Sequence, residues 1–154
     1  MYTGESEHSI DDKGRIIVPA KFRDDLGDTC FLTRGYNKCL NLYAKPDFDA
    51  LMESLKDPTG MDPEATMLQR RFAATPVSID NQGRLSISAP LRDYAGIITE
   101  KSDKGAVVLF GTDNRIEIWA KDRWDAYNAE ISDADIAKAF LSVQSRKAMN
   151  SQAT

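Results

Sequence analysis

HSIDDKGRIIVPAKFRDDLG (His8–Gly27) and VSIDNQGRLSISAPLRDYAG (Val77–Gly96) are two versions of one phrase, and that repetition decides the fold. At one constant offset Ile10, Asp11, Gly14 and Arg15 meet Ile79, Asp80, Gly83 and Arg84. The correspondence continues with Val18 and Ile87, Phe22 and Leu91, Arg23 and Arg92, and Gly27 and Gly96. After an insertion in the second copy it resumes, GYNKCLNLYAKPDFDAL from Gly35 lying on GTDNRIEIWAKDRWDAY from Gly111. The chain is a duplicated module.

Each copy reads alike. Alternating polar and apolar residues around a Gly-containing turn predict a hairpin, and the β-branched RIIVP and RLSIS supply strands. AKFRDDLG and APLRDYAG predict short helices ending at Gly27 and Gly96, where glycine suits a left-handed position. CFLTRG, AVVLFG, CLNLYA and IEIWA predict strands, the last two by period-two alternation. An amphipathic helix closes each copy, with Phe48, Leu51, Met52 and Leu55 on one face in the first and Trp124, Tyr127 and Ile131 in the second. Between them MDPEA predicts a helix start with Asp62 as N-cap and Pro63 in the first turn, the helix burying Ala65, Leu68 and Phe72. The expected organisation is a module over 5–52, a helical connector over 53–73, a second module over 74–127, and a C-terminal helix over 128–154 whose polar tail, SVQSRKAMNSQAT, frays. A module of about four short strands cannot cover its own sheet. Two related by a pseudo-twofold predict a mainly β, α+β body with flanking helices, closed like a barrel.

The chain has 154 residues, 42% of them hydrophobic and 29% charged, which is a globular balance. No apolar run approaches the roughly 18 residues of a membrane span, and no signal peptide opens the sequence, so a cytoplasmic protein is expected. Cys30 and Cys39 sit among apolar neighbours and read as reduced, buried thiols. With His8 the only histidine, no metal set and no cofactor is expected. The net charge of −4 hides a segregation: Lys13, Arg15, Lys21 and Arg23 stand in a stretch without acids, whereas Asp47–Glu64 is acidic. A cationic face on an acidic protein is therefore possible.

Asp and Gly are ordinary turn residues, and an Arg four residues after an Asp can form a purely structural ion pair. A guanidinium fixed by a carboxylate on a hairpin is also a rigid fork of donors, suited to phosphate or to the guanine edge, and a two-stranded ribbon fits the major groove. Both readings stand on the residues alone.

GESEHSIDDKGRIIVPAKFRDDLG, LTRG, DPEA, IDNQGRLSISAPLRDYAG and NRIEIWAKDRWDAY, taken as an ordered and duplicated set, resemble the MraZ family of bacterial transcriptional regulators, which is built of two SpoVT/AbrB-type domains. The resemblance covers nearly everything from Gly4 to Tyr127. It implies a swapped-hairpin or double-psi-like β-barrel, a ring homo-oligomer, and binding to short G-rich direct repeats of double-stranded DNA upstream of the family's own division and cell-wall gene cluster, hence a place at the nucleoid. Its Asp-x-x-x-Arg signature falls on Asp11 and Arg15 and on Asp80 and Arg84. The second copy departs from the first in reading SIS at 86–88 where the first has IVP.

The expected DNA contacts are Arg15 first, helped by Lys13, Lys21 and Arg23, with Arg84 secondary; Asp11, Gly14, Asp80 and Gly83 shape the turns and orient the arginines. Tyr43, Phe48, Trp119 and Trp124 are read as packing residues rather than base-stacking platforms. No catalytic set is expected: His8 has Val77 as its counterpart, and each turn carboxylate stands beside its own Arg, which keeps it ionised. No small-molecule substrate and no membrane is expected as partner. The alternative is an antitoxin-like barrel that binds a protein partner, with purely structural Arg turns. Salt dependence of DNA binding separates the two.

Overall fold

The same order of elements occurs twice. The structure, a computed structural model, describes residues 2–99 and 106–152. The first half runs β1 (Gly4–Ser9), β2 (Arg15–Ile17), α1 (Ala20–Leu26), β3 (Thr29–Arg34), a 3₁₀ turn, β4 (Leu40–Ala44) and α2 (Lys45–Ser54). Helix α3 (Pro63–Arg71) comes next. The second half repeats the series as β5 (Thr75–Ser78), β6 (Arg84–Ser86), α4 (Ala89–Ala95), β7 (Ala106–Thr112), β8 (Arg115–Ala120) and α5 (Lys121–Ala129), and α6 (Asp133–Gln152) ends the chain. The insertion that separates the copies falls largely on 100–105, outside the described residues. By contact the chain divides into two compact units, Met1–Lys121 and Asp122–Thr154.

In the first unit all pairings are antiparallel. Six strands form one sheet in the order β1-β7-β8-β4-β3-β5, and β2 pairs with β6 as a separate ribbon. Exchanging the halves turns this order into its own reverse, so a pseudo-twofold passes through the β4–β8 and β2–β6 pairs. Residues at the axis face their own counterparts: Ile16 is opposite Leu85, and Asn41 is opposite Glu117. The halves do not keep separate sheets. They exchange strands, β1 pairing along its length with β7 and β5 with β3. Single bridges, Ile10 to Ile16 and Ile79 to Leu85, tie each edge strand to the ribbon. The α+β, internally duplicated architecture is as expected.

The core draws on both copies position by position. Ile16 and Leu85, Val18 and Ile87, Leu32 and Leu109, Leu40 and Ile116, and Leu42 and Ile118 are all at most 1% exposed, each worth about 1.5–3 kcal/mol of burial. A single copy would leave half of this surface wet, which is why the two fold together. Cys30 and Cys39 are free and buried. In α3 the carboxylate of Asp62 accepts from the amides of Glu64 and Ala65 with Pro63 in the first turn, the predicted cap. Phe72 just beyond it is buried, and Ala65 and Leu68 are half-buried. Gly96 closes α4 in the left-handed conformation, whereas Gly27 closes α1 at φ +74 with an extended ψ.

In the second unit the polar tail expected to fray is helical as far as it is described: Ser142–Gln152 belongs to the 20-residue α6, and 153–154 lie outside the described residues. Ser132 Oγ accepts from the amide of Asp135, and Asp135 Oδ2 accepts from the amide of Ser132, a reciprocal capping box. The Ala, Lys, Arg, Gln and Met residues of the helix body are strong helix formers, so propensity outweighs polarity. Ile131 lies beyond the end of α5, off the helical face it was assigned to. Among the described residues no helix is long and apolar enough to cross a membrane.

Candidate functional site

Each Asp-x-x-Gly-Arg segment forms the same closed turn. In the first, the Asp11 amide donates to the Arg15 carbonyl at 2.9 Å and the Gly14 amide to the Asp11 carbonyl at 3.0 Å. Asp11 Oδ1 accepts from the amides of Lys13 and Arg15 at 3.0 and 2.8 Å, and Oδ2 accepts from Arg15 Nε at 2.7 Å. The second copy repeats this with Asp80, Gln82, Gly83 and Arg84, down to the 2.7 Å contact between Arg84 Nε and Asp80 Oδ2. Gly14 and Gly83 stand at φ +80 and +78, a conformation that favours glycine.

Both carboxyls are held below their ordinary value. For Asp11 burial pushes the other way, but the amides of Arg15 and Lys13 and the Arg15 guanidinium outweigh it. For Asp80 the Arg84 amide leads, with the Arg84 side chain and the Gln82 amide adding to it. Each carboxylate is therefore held ionised with both oxygens bonded inside its own turn, Oδ2 gripping the arginine.

The ribbon brings the two arginines together. Register sets Arg15 opposite Ser86 and Ile17 opposite Arg84, with the buried Ile16 and Leu85 between. Alternation then puts Arg15, Ile17, Arg84 and Ser86 on one outward face of β2–β6. Because each Nε is bound to its Asp, each arginine is gripped along one edge, and its two terminal NH₂ groups donate no hydrogen bond to the described residues. The Val18 amide donates to the Gly83 carbonyl at 2.8 Å and the Ile87 amide to the Gly14 carbonyl at 2.9 Å, so each half also fastens the other's turn.

The remaining cations are placed differently. Lys13 is exposed at the first turn. Lys21, on α1, has its ammonium 4.9 Å from the Phe22 ring centroid. Arg23 lies with its guanidinium against Gly83 of the second turn, and Arg92 lies against Gly14 of the first, where its Nη1 donates to the Ile87 carbonyl. This reciprocal seating of Arg23 and Arg92 was not foreseen; its only sequence signal is that the pair recurs with the repeat.

Other expectations concern the surroundings. His8 sits on the edge strand β1, bonded to Ser6 Oγ at 2.7 Å, its pKa lowered by burial and then by Lys21. Tyr43 and Trp119 are buried, Phe48 stacks on Phe31 at 4.6 Å, and Trp119 Nε1 donates to Glu117 at 3.0 Å, which makes them packing residues. Among the described residues no three His, Cys, Asp or Glu side chains gather as a metal would require.

A family model described as "MraZ protein, putative antitoxin-like" matches the chain twice, over 1–71 and 72–146. The chain is 39% identical over 145 residues to a protein of Natranaerobius thermophilus named Transcriptional regulator MraZ, covering 92% of this chain and 97% of that one. Proteins of the same name from Desulforamulus reducens (41% over 132 residues, 84% of this chain and 89% of the relative) and Halothermothrix orenii (41% over 144 residues, 91% and 96%) are similarly related.

Proposed function

We propose that this chain, which belongs to the MraZ family, is a transcription regulator that binds double-stranded DNA through the outward face of β2–β6. Its relatives carry the name of a regulator and not of an enzyme. One observation carries the reading: two arginines from separate copies converge on one face of a two-stranded ribbon, each aimed by its own aspartate. A ribbon of this width fits the major groove, and a pre-oriented guanidinium is the usual partner of guanine O6 and N7.

On this reading Arg15 is the principal contact, with Lys13 beside it on phosphate. Arg84 is secondary because Gln82 takes the place of Lys13 in its turn. Lys21 adds positive charge from α1, and Arg23 contributes from its seat on the second turn. The target is a set of short G-rich direct repeats upstream of the protein's own gene cluster, engaged by a ring of identical subunits at the nucleoid. Repeated weak contacts then account for binding by a chain of net charge −4. The circuit of strand pairings and bridges supports a closed swapped-hairpin barrel, with modules over 5–52 and 74–127 joined by the connector.

The test is fluorescence anisotropy on a duplex carrying three G-rich direct repeats, against a scrambled duplex and at two salt concentrations. Binding that prefers the repeats and weakens by orders of magnitude between about 50 and 200 mM salt supports the reading; no binding to either duplex at low salt sinks it. The second reading, a protein-binding module, is favoured by the exposed Ile136, Phe140 and Leu141 of α6 and predicts that outcome.

A further inference from the structure

Pseudo-symmetry makes the two copies comparable residue by residue, and on one face of β4–β8 they differ. Leu40, Leu42, Ile116 and Ile118 turn into the core. Alternation then sends Asn41 and Tyr43 of β4, with Arg115 and Glu117 of β8, to the opposite face. Asn41 stands opposite Glu117 in the register, and Tyr43 occupies the place that Trp119 takes in the second copy. Asn41 and Tyr43 are each only 4% exposed. Polar groups buried to that degree call for hydrogen-bond partners.

The two copies meet this demand unequally. Glu117 Oε2 accepts from Arg115 Nη2 at 2.8 Å and Oε1 from Trp119 Nε1 at 3.0 Å, so both carboxylate oxygens are engaged. In the first copy Asn41 Nδ2 donates to the Tyr43 hydroxyl at 3.3 Å, which uses one of its two hydrogens. The Asn41 Oδ1 is packed on its other side: a Cβ on Gly35 would come within 2.7 Å of it, and the Cys39 thiol lies 3.9 Å away. Burial raises the pKa of Tyr43, so its hydroxyl keeps its proton. No described residue accepts that proton or the second amide hydrogen of Asn41. Arg115 Nε, buried in the same cluster, has no acceptor among the described residues either. The surplus here is of donors, and an unmatched buried donor is destabilising.

Asn41, Tyr43, Arg115 and Glu117 all line a cavity of about 260 Å³, whose other walls include Leu51 of α2, Leu68 of α3 and Phe72. Arg115 and Glu117 are the only charged residues among the described lining, and they neutralise each other. A single water would meet the donors but gain nothing from the apolar walls, which reward an organic body. The space is just below the roughly 300 Å³ at which drug-sized sites begin, a size for one ring.

We propose that this cavity binds a small, neutral, single-ring carbonyl compound, its oxygen accepting from the Asn41 amide and the Tyr43 hydroxyl and its ring against Leu51, Leu68 and Phe72. None of the lining residues belongs to the ribbon or to either Asp–Arg turn. The ligand is thus an effector held apart from the β2–β6 face, and the assignment stands whether or not that face binds DNA.

The full chain is titrated with 4′-fluoroacetophenone, read by ¹⁹F NMR, beside two molecules of similar shape, 4-fluoro-α-methylstyrene, which lacks the oxygen, and the anion 4-fluorobenzoate. Asn41→Leu with Tyr43→Phe removes both donors and leaves apolar groups of similar size, a change the fold tolerates better than the loss of one partner. That variant should lower the affinity for the ketone relative to the hydrocarbon by about ten-fold, the effect of two ordinary hydrogen bonds. Comparing ratios cancels the cost of stripping water from the carbonyl. Leu51→Trp, which fills the cavity from α2, should weaken both neutral probes. Far-UV circular dichroism and the thermal midpoint show that each variant is folded. No binding of the ketone, a ratio unmoved by the double substitution, or affinities indifferent to Leu51→Trp overturns the proposal. Tighter binding of the benzoate than of the ketone also overturns it, because the site would then select an anion.

Discussion

The guanidinium of Arg23, on α1 of the first half, lies directly against Gly83 in the turn of the second half. A Cβ built on Gly83 would meet its Nη1 at 2.7 Å. The counterpart contact, Arg92 on Gly14, closes the circuit. Each Asp–Arg turn is therefore roofed by an arginine of the opposite copy, and the turn that presents Arg84 depends on a helix from the other half of the chain. Gly83→Ala should cost about 1–3 kcal/mol through its positive φ alone, more with the displaced guanidinium. That lowers the melting temperature by about 2–4 °C per kcal/mol for a chain of this size. Arg23→Ala in the Gly83→Ala background should recover only the clash. If Arg23→Ala recovers none of the loss caused by Gly83→Ala, the roofing contact is not formed in solution.

Arg15 and Lys13 should be distinguishable by the kind of loss they cause. On the proposed reading, Arg15→Ala should weaken binding to the G-rich repeats by about 1–3 kcal/mol and reduce preference over scrambled sequence, because a bidentate base contact would be removed. Lys13→Gln, which copies the second turn, should weaken binding to all sequences alike and reduce the salt slope by about one. Arg84→Ala should cost less than Arg15→Ala. Anisotropy titrations at several salt concentrations measure all three. Equal, sequence-independent losses would demote Arg15 from base reader to phosphate contact.

The parts of this molecule that were readable from sequence are local. The Asp-x-x-Gly-Arg turns, the Asp62 cap and the period-two strands each need only a few adjacent residues to be satisfied, so their chemistry shows in the order of residues. The repeat revealed the symmetry for the same reason. Beyond reach lay the identity of strand neighbours: alternation in β1 marks a buried face but does not say that β7, and not β3, lies beside it. The seat of Arg23 on Gly83 depends on that exchange and was equally hidden. Helix α6 was expected, but not its length: the Ser132–Asp135 capping box lies in SDAD at its start, whereas the polarity of SVQSRKAMNSQAT suggested a frayed end where the helix runs on to Gln152.

The two thiols should be inert until the chain unfolds. Burial raises Cys30 to about 11, and burial together with the charge of Glu117 raises Cys39 to about 12. The thiolate is the reactive form, so near pH 8 almost none is present in the folded protein. A disulfide reagent such as 5,5′-dithiobis(2-nitrobenzoate) should modify both cysteines at once in denaturant. In native buffer it should react at the rate of global or local opening. Rapid native labelling of either residue would mean that its strand opens readily.

Acid should unfasten the turns in a definite direction. Asp11 and Asp80 have lower pKa values folded than the ordinary 3.8, so the folded state binds protons less readily than the unfolded one. Their contribution is fully present above the unfolded value, near pH 4, and is lost as pH falls through the folded values. At neutral pH Asp11→Asn with Asp80→Asn should therefore unfold at lower urea than the wild type. As pH falls from about 5 toward 3 the wild-type midpoint should approach that of the variant, because protonation does to the aspartates what substitution has already done. The same variant should release both arginines from their Nε contacts, and DNA affinity should fall at neutral pH even where the protein remains folded. Parallel midpoints across the whole range would mean that the aspartates hold no net charge-dependent bonds, and the account of how Arg15 and Arg84 are aimed would fail with them.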